Sequence, residues 1–438
     1  MPASRTFLTA LAPDERIQGS RDPLGLLPIW SRLGRRLIGN VTTVSGDLRG
    51  WTSLLVMAGL YRERVEDGRL AEADIEPLFR AEQLIAYSRV LYPAATGASE
   101  VRGLNQVRAH LRESEQGRQP IHLGRGRDRR ILNAQEAAGV WGQISSPAGA
   151  SRLLDRVRRA LLPSAHVLWT GTFGPRLAPF AKRITEILKD ERGFEPGLAD
   201  AELARTLAGV HGRHLDPAEV PLYRDHVLYG GQPGGAPQGA LVELWRAQAD
   251  ASLREGVDLP RVVLLGQRAR AAGLPGVATP LEDIVAAERL LAPMEGLFSW
   301  VLSRDRKTLD DVVAEVESVW DEPVASAAAA TDAVLAGPVR EVYPGPEVPR
   351  ALAAIRDALV AGAWKDAVLA VIDLNGRTMR RRGGAPWVEL ADGRLDVRLG
   401  DEQGSLPSRE ARERDLIHSY YLDPLRRLVV AWEDGQHA

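Results

Sequence analysis

The sequence predicts a mostly α-helical, multi-domain protein with a small β-hairpin element in its C-terminal part. Three observations carry that prediction. Apolar residues recur at helical spacing through most of the chain, helix-start signatures precede several of those runs, and one stretch, Trp387 to Leu399, alternates as a strand pair does. With 438 residues the chain is long enough for about three domains. Glycine and proline cluster at Gly230–Gly239 (GGQPGGAPQG) and at Tyr343–Pro349 (YPGPEVP), where neither helix nor strand persists, and a softer break lies near Ser145–Ala150. These joints divide the chain into a helical N-terminal domain with basic segments (1–230), a helical middle domain (239–342) and a C-terminal helical domain with the hairpin (348–438).

The first predicted element starts at Asp22-Pro23 and places Leu26, Trp30, Leu33 and Leu37 on one stripe, with Arg32, Arg35 and Arg36 largely on other faces. After Gly39 a polar loop with Asn40, Thr42, Thr43 and Ser45 leads into a second helix carrying Arg49 and Trp51. Ile184, Ile187 and Leu188 share a helical face further on. Asp216-Pro217-Ala218-Glu219 and Thr279-Pro280-Leu281-Glu282 each read as an N-cap, a proline at the first helical position and a capping-box glutamate. Leu352, Ile355 and Leu359 mark another helix. In WVELADGRLDVRL a two-residue type I′ turn at Asp392-Gly393 pairs Leu390 with Leu395 and Val388 with Val397. The same register sets Glu389 opposite Asp396, a like-charge pair that costs stability unless water, arginine or a cation separates the carboxylates.

Composition narrows the chemistry. The formal charge of −2 supplies no global field, so a polyanionic partner has to be met by a local patch. There is no cysteine, which removes disulfides, thiolate metal sites and cysteine nucleophiles from consideration. Lysine occurs at four positions only, so 52 of the 56 basic residues are arginine. No phosphate loop of the GxxxxGK[ST] type, no GxSxG and no complete dinucleotide fingerprint is present. The apolar run Leu54–Leu60 is far short of the ~20 residues that span a bilayer, so the expectation is a cytoplasmic protein with no membrane association.

Four constellations remain. Hydroxyls and amides at Asn40 and Thr43, flanked by Arg35, Arg36 and Arg49, suit an anion or DNA backbone; the same residues also suit an αα-hairpin whose loop merely caps its second helix. Arg125, Arg127, Arg129 and Arg130, followed by Arg152, Arg156, Arg158 and Arg159, give residues 121–160 eight arginines against three acids. Such a stripe can neutralise phosphates, or it can be a solvated face. A helix over 152–159 places Arg152 and Arg156 on one side. Trp141 is the lone aromatic there, which offers little for stacking along a single strand. His211, His214, Asp216 and His226 are candidate metal ligands in competition with the capping role of Asp216. Glu389 and Asp396 resemble a nuclease carboxylate pair, but Arg398 stands where such sites hold lysine, and guanidinium does not release a proton near neutral pH. No cofactor and no metal are assigned.

The segment DPLG…IWSRLGRRLIGNVTTVSGDLRGW resembles, together with four shorter ones, a bacterial family encoded among restriction and anti-phage defence gene clusters. The shorter segments are Phe79–Ile85 (FRAEQLI), Ile131-Leu132-Asn133 with Val140-Trp141-Gly142, Arg381–Val388 (RRGGAPWV) and His418–Leu422 (HSYYL). Neighbouring genes there encode helicases, methyltransferases or phospholipase-D-like nucleases. The resemblance implies a DNA-targeting or antiviral setting and no mechanism. The expected function is therefore a non-catalytic cytosolic binding or adaptor protein, contacting DNA phosphates through these arginines or docking on partner proteins of a defence system. The competing expectation is a metal-dependent phosphodiesterase or nuclease built on Glu389, Asp396 and a further acid such as Asp373.

Overall fold

The computed structural model describes residues 22–93, 101–231, 236–247, 254–401 and 404–437. The fold is mostly helical, and its β-strands among the described residues form two short antiparallel hairpins. The described residues group into two units: those up to Leu37 join those of 257–420, and those of 38–256 join those of 421–437. Residues 1–21, and residues 232–235 of the Gly230–Gly239 joint, lie outside the described residues.

The first unit is built on Pro275–Leu302, a 28-residue helix buried along Leu281, Ile284, Leu291, Leu297 and Val301. Leu259–Ala271, Leu27–Arg35 and Trp364–Arg381 pack on it. The helix begins one turn before the predicted Thr279-Pro280 start, because Pro275 already occupies its first turn. Pro280 and Pro293 are then interior residues, tolerated although each removes one backbone donor. Likewise the first helix starts at Leu27 rather than at Pro23. Gly25 turns the chain at φ +76°, and the Asp22 carboxylate accepts the Leu26 N–H at 2.6 Å.

The C-terminal hairpin has the predicted register. β3 (Val388–Ala391) pairs with β4 (Arg394–Val397), setting Val388 opposite Val397, Glu389 opposite Asp396 and Leu390 opposite Leu395. Asp392 and Gly393 both have positive φ, as a type I′ turn demands. Val388 and Leu395 are fully buried, while Leu390 near the turn is 40% exposed.

In the second unit Leu48–Glu66 packs against Glu76–Leu91. Every residue from Leu48 to Tyr61 is buried, so this helix is apolar on nearly all sides rather than striped, as befits a central element. Gly59 faces the Trp169 indole so closely that an added Cβ would sit 2.3 Å from the ring. The arginines after Ser151 are not helical. Leu154–Asp155 (β1) and Ala160–Leu161 (β2) form a hairpin with Arg156–Arg159 in its turn, where Asp155 Oδ1 accepts the Val157 and Arg158 amides at 3.0 Å each. That aspartate competes locally for the backbone donors a helix would use, and Arg152 and Arg159 take positive φ, so the shared helical face of Arg152 and Arg156 does not exist.

Candidate phosphate-binding cleft

Glu82 and Gln83 lie side by side on the buried face of the Glu76–Leu91 helix, an acid and an amide inside an otherwise apolar run. Buried polar groups must be paired, and both are. Gln83 clamps the backbone of Gly124, accepting its N–H at 2.7 Å and donating to its carbonyl at 2.8 Å, and also donates to Gln135 Oε1 at 3.0 Å. Glu82 accepts from the Val140 N–H at 2.8 Å and from Gln135 Nε2 at 3.2 Å. Burial pushes the Glu82 carboxyl up to about 7, against the lowering effect of those two bonds and of Arg102. Gly139, before the Val140–Ala150 helix, leaves no room for a side chain: an added Cβ would meet Gln135 O at 2.4 Å and Glu82 Oε2 at 2.6 Å.

These bonds fix the 124–142 segment as the floor and wall of an open cleft of about 750 Å³, within the usual range for ligand sites. Arg125 and Arg130 come to it from the glycine-flanked loop, Trp141 and Ser145 from the Val140–Ala150 helix, and Arg156 from the β1–β2 turn. The arginines differ in commitment. Arg125 is bound to Glu76 at 2.6 Å, lies 3.5 Å from Glu136, and stacks over the Phe79 ring at 4.8 Å. Arg130 donates to the Asn133 carbonyl at 3.4 Å and has no carboxylate partner among the described residues. Arg156 has no ion-pair or hydrogen-bond partner among them. The Ser145 hydroxyl and the Trp141 indole N–H also find no acceptor among them, although Ser145 is only 1% exposed and Trp141 half-buried. Four donors without a committed acid thus meet in one cavity, whose sole lining acid is Glu136. That inventory fits a ligand rich in acceptor oxygens.

Arg127 and Arg152 are exposed and unpaired among the described residues. Arg129 is bound to Asp190 at 2.6 Å, and Arg159 donates to the Glu72 carbonyl at 2.8 Å, so both are held by the protein itself. Arg49 is buried. Its guanidinium pairs with Glu219 at 2.9 Å and donates to the Gly212 and His214 carbonyls, which makes it a structural cation. Asn40, 2% exposed, donates to Ser151 Oγ and to the His226 and Val227 carbonyls, latching its loop to the core of the unit. Thr43 is exposed. Arg35, half-buried, and Arg36, paired with Asp283 at 2.9 Å, belong to the first unit.

His211, Asp216 and His226 are each engaged by backbone. His211 is buried with Nδ1 against the Leu207 carbonyl, and burial lowers it well below the usual histidine range. Asp216 Oδ1 accepts the Ala218 N–H while Glu219 accepts the Asp216 N–H, the reciprocal bonds of a capping box. At the C-terminal hairpin Arg398 Nη2 reaches Glu389 at 2.6 Å and its Nε lies 3.7 Å from Asp396, so guanidinium separates the two carboxylates. Asp373 is bound to Arg377 at 2.7 Å. No group of three or more His, Asp or Glu that could hold a metal ion occurs among the described residues.

Glu82, Gln83, Gln135 and Ser145 were not singled out by sequence reasoning. The available signal was the polar Glu-Gln pair inside the apolar run of FRAEQLI, where nothing but a buried network would keep it. Comparison of the chain with protein-family models, with curated proteins and with solved structures finds no match.

Proposed function

We propose that the second unit binds phosphate groups of nucleic acid in the 125–156 cleft, and that the protein acts as a non-catalytic binding or adaptor component of a bacterial DNA-targeting or defence system. The observation that carries this reading is the meeting of Arg130 and Arg156, from separate arginine-rich stretches, in one cleft without a carboxylate to neutralise either. In the same two stretches Arg127 and Arg152 add unpaired positive charge. Two of the segments that carry the resemblance to the defence-associated family, Phe79–Ile85 and Ile131–Asn133 with Val140–Gly142, supply its support and its wall. The defence setting itself rests on that resemblance alone. The protein's part would be positioning, with the chemistry supplied by a partner.

Fluorescence anisotropy with labelled duplex and single-stranded DNA across a salt series tests the reading. Micromolar or tighter binding that weakens linearly in log–log form with added salt supports it; salt-independent affinity, or no binding up to tens of micromolar protein, overturns it.

A further inference from the structure

We infer that the cleft receives a single nucleotide bearing a phosphate monoester, its base against Trp141 and its phosphate between Arg130 and Arg156. The inference rests on the phosphate-binding reading above and narrows it. A duplex or a continuous strand is tracked by an extended groove with repeated charges and several aromatic platforms. Here the site is one cavity of about 750 Å³ with one aromatic residue in its wall, room for a nucleotide but not for a run of stacked bases. Charge points the same way. A backbone diester carries one negative charge, whereas a monoester carries about 1.5 to 2 near pH 7 and offers three acceptor oxygens. Two guanidiniums without acid partners, with the Ser145 hydroxyl and the Asn133 amide on the same lining, match the second donor demand better than the first.

A nucleotide of this kind is found at the phosphorylated end of a strand and as a free nucleoside monophosphate, and the experiment separates the two. Anisotropy competition is run on the full chain with a labelled 5′-phosphorylated single-stranded oligonucleotide. The competitors are the same oligonucleotide with a 5′-hydroxyl, with a 3′-phosphate, closed into a circle, and adenosine 5′-monophosphate. The expectation is at least a tenfold preference for a phosphorylated end over the circle. Competition by the free nucleotide at equal concentration identifies it as the ligand, and its failure identifies the strand end. W141F should retain most of the affinity and W141A lose about tenfold, in line with the stacking of one base. Retained circular dichroism in both variants separates this loss from misfolding. A circle that competes as well as the phosphorylated end, with W141A unaffected, overturns the inference while leaving phosphate binding intact. Absence of binding to every DNA overturns both.

Discussion

Glu288 of the Pro275–Leu302 helix is 1% exposed, and it receives four donors: the Ile417 and His418 amides, His418 Nδ1 at 2.8 Å and the Tyr420 hydroxyl at 2.8 Å. Burial alone would discharge His418. The hydrogen bonds to Glu288 and to Glu295 outweigh it and hold the imidazole up to about 9. The stability this pair contributes is therefore complete below pH 6.5 and is lost as pH rises through about 9. Glu288→Gln removes the buried one of the two carboxylates that hold His418, leaving the half-exposed Glu295, and weakens the acceptor of several donors, so urea denaturation at pH 7 should record a loss of about 3–5 kcal/mol, shrinking toward pH 9.5. Glu82 gives the same sign in a different window. Its carboxyl is raised in the folded protein, so stability is highest below pH 4.5 and falls as pH rises through about 7, by on the order of 3 kcal/mol if the unfolded carboxyl is ordinary. Glu82→Gln keeps an acceptor for the Val140 N–H and removes the titration; its melting temperature should be flatter than that of the wild type between pH 5 and 7.

Local elements were legible wherever neighbours along the chain decide the structure. The type I′ turn, the hairpin register and the stripes at Ile184–Leu188 and Leu352–Leu359 all follow from side chains within a few residues of one another. The 152–159 segment was misread because helical spacing of arginines carries no information about the Asp155 side chain, which captures the backbone instead. The Thr279-Pro280 start was misread because a capping signature inside a longer helix looks the same as one at its end. Two glycines separate local from tertiary constraint. Gly209, exposed in the Ala201–Val210 helix, has nothing within 4 Å of an added Cβ, and Gly209→Ala should stabilise the protein by about 0.5–1 kcal/mol. Gly139→Ala should destabilise it by about 1–3 kcal/mol, because the new methyl group collides with Gln135 and Glu82 and displaces the wall that carries Trp141. Thermal melts of the two variants should move in opposite directions.

For the molecule as a whole, composition delimited the chemistry, and the arginine-rich 121–160 stretch marked the region of the cleft. What no composition shift announces is which arginines are spent. Arg125, Arg129 and Arg159 sit in the same stretches as Arg130 and Arg156, yet a partner from elsewhere in the chain engages each of the first three. Nor does any breaker motif announce that residues 22–37 pack with 257–420, since that grouping depends on helices distant in sequence. With a net charge of −2 there is no long-range attraction for DNA, so binding should depend on a few contacts. A terminal monoester of about two charges, met by Arg130 and Arg156, gives a log–log salt slope near −1.4 for a single strand, and Arg156→Ala should reduce its magnitude by about 0.7.

The most direct measurement compares DNA affinity at one low salt concentration for the wild type, the R130A/R156A variant and an R176A/R224A control. The control removes the exposed Arg176 and the half-buried Arg224, both outside the cleft, and changes the net charge equally. The account predicts at least a tenfold loss for R130A/R156A and less than a twofold change for the control. Equal losses in both variants, or none in either, would contradict it.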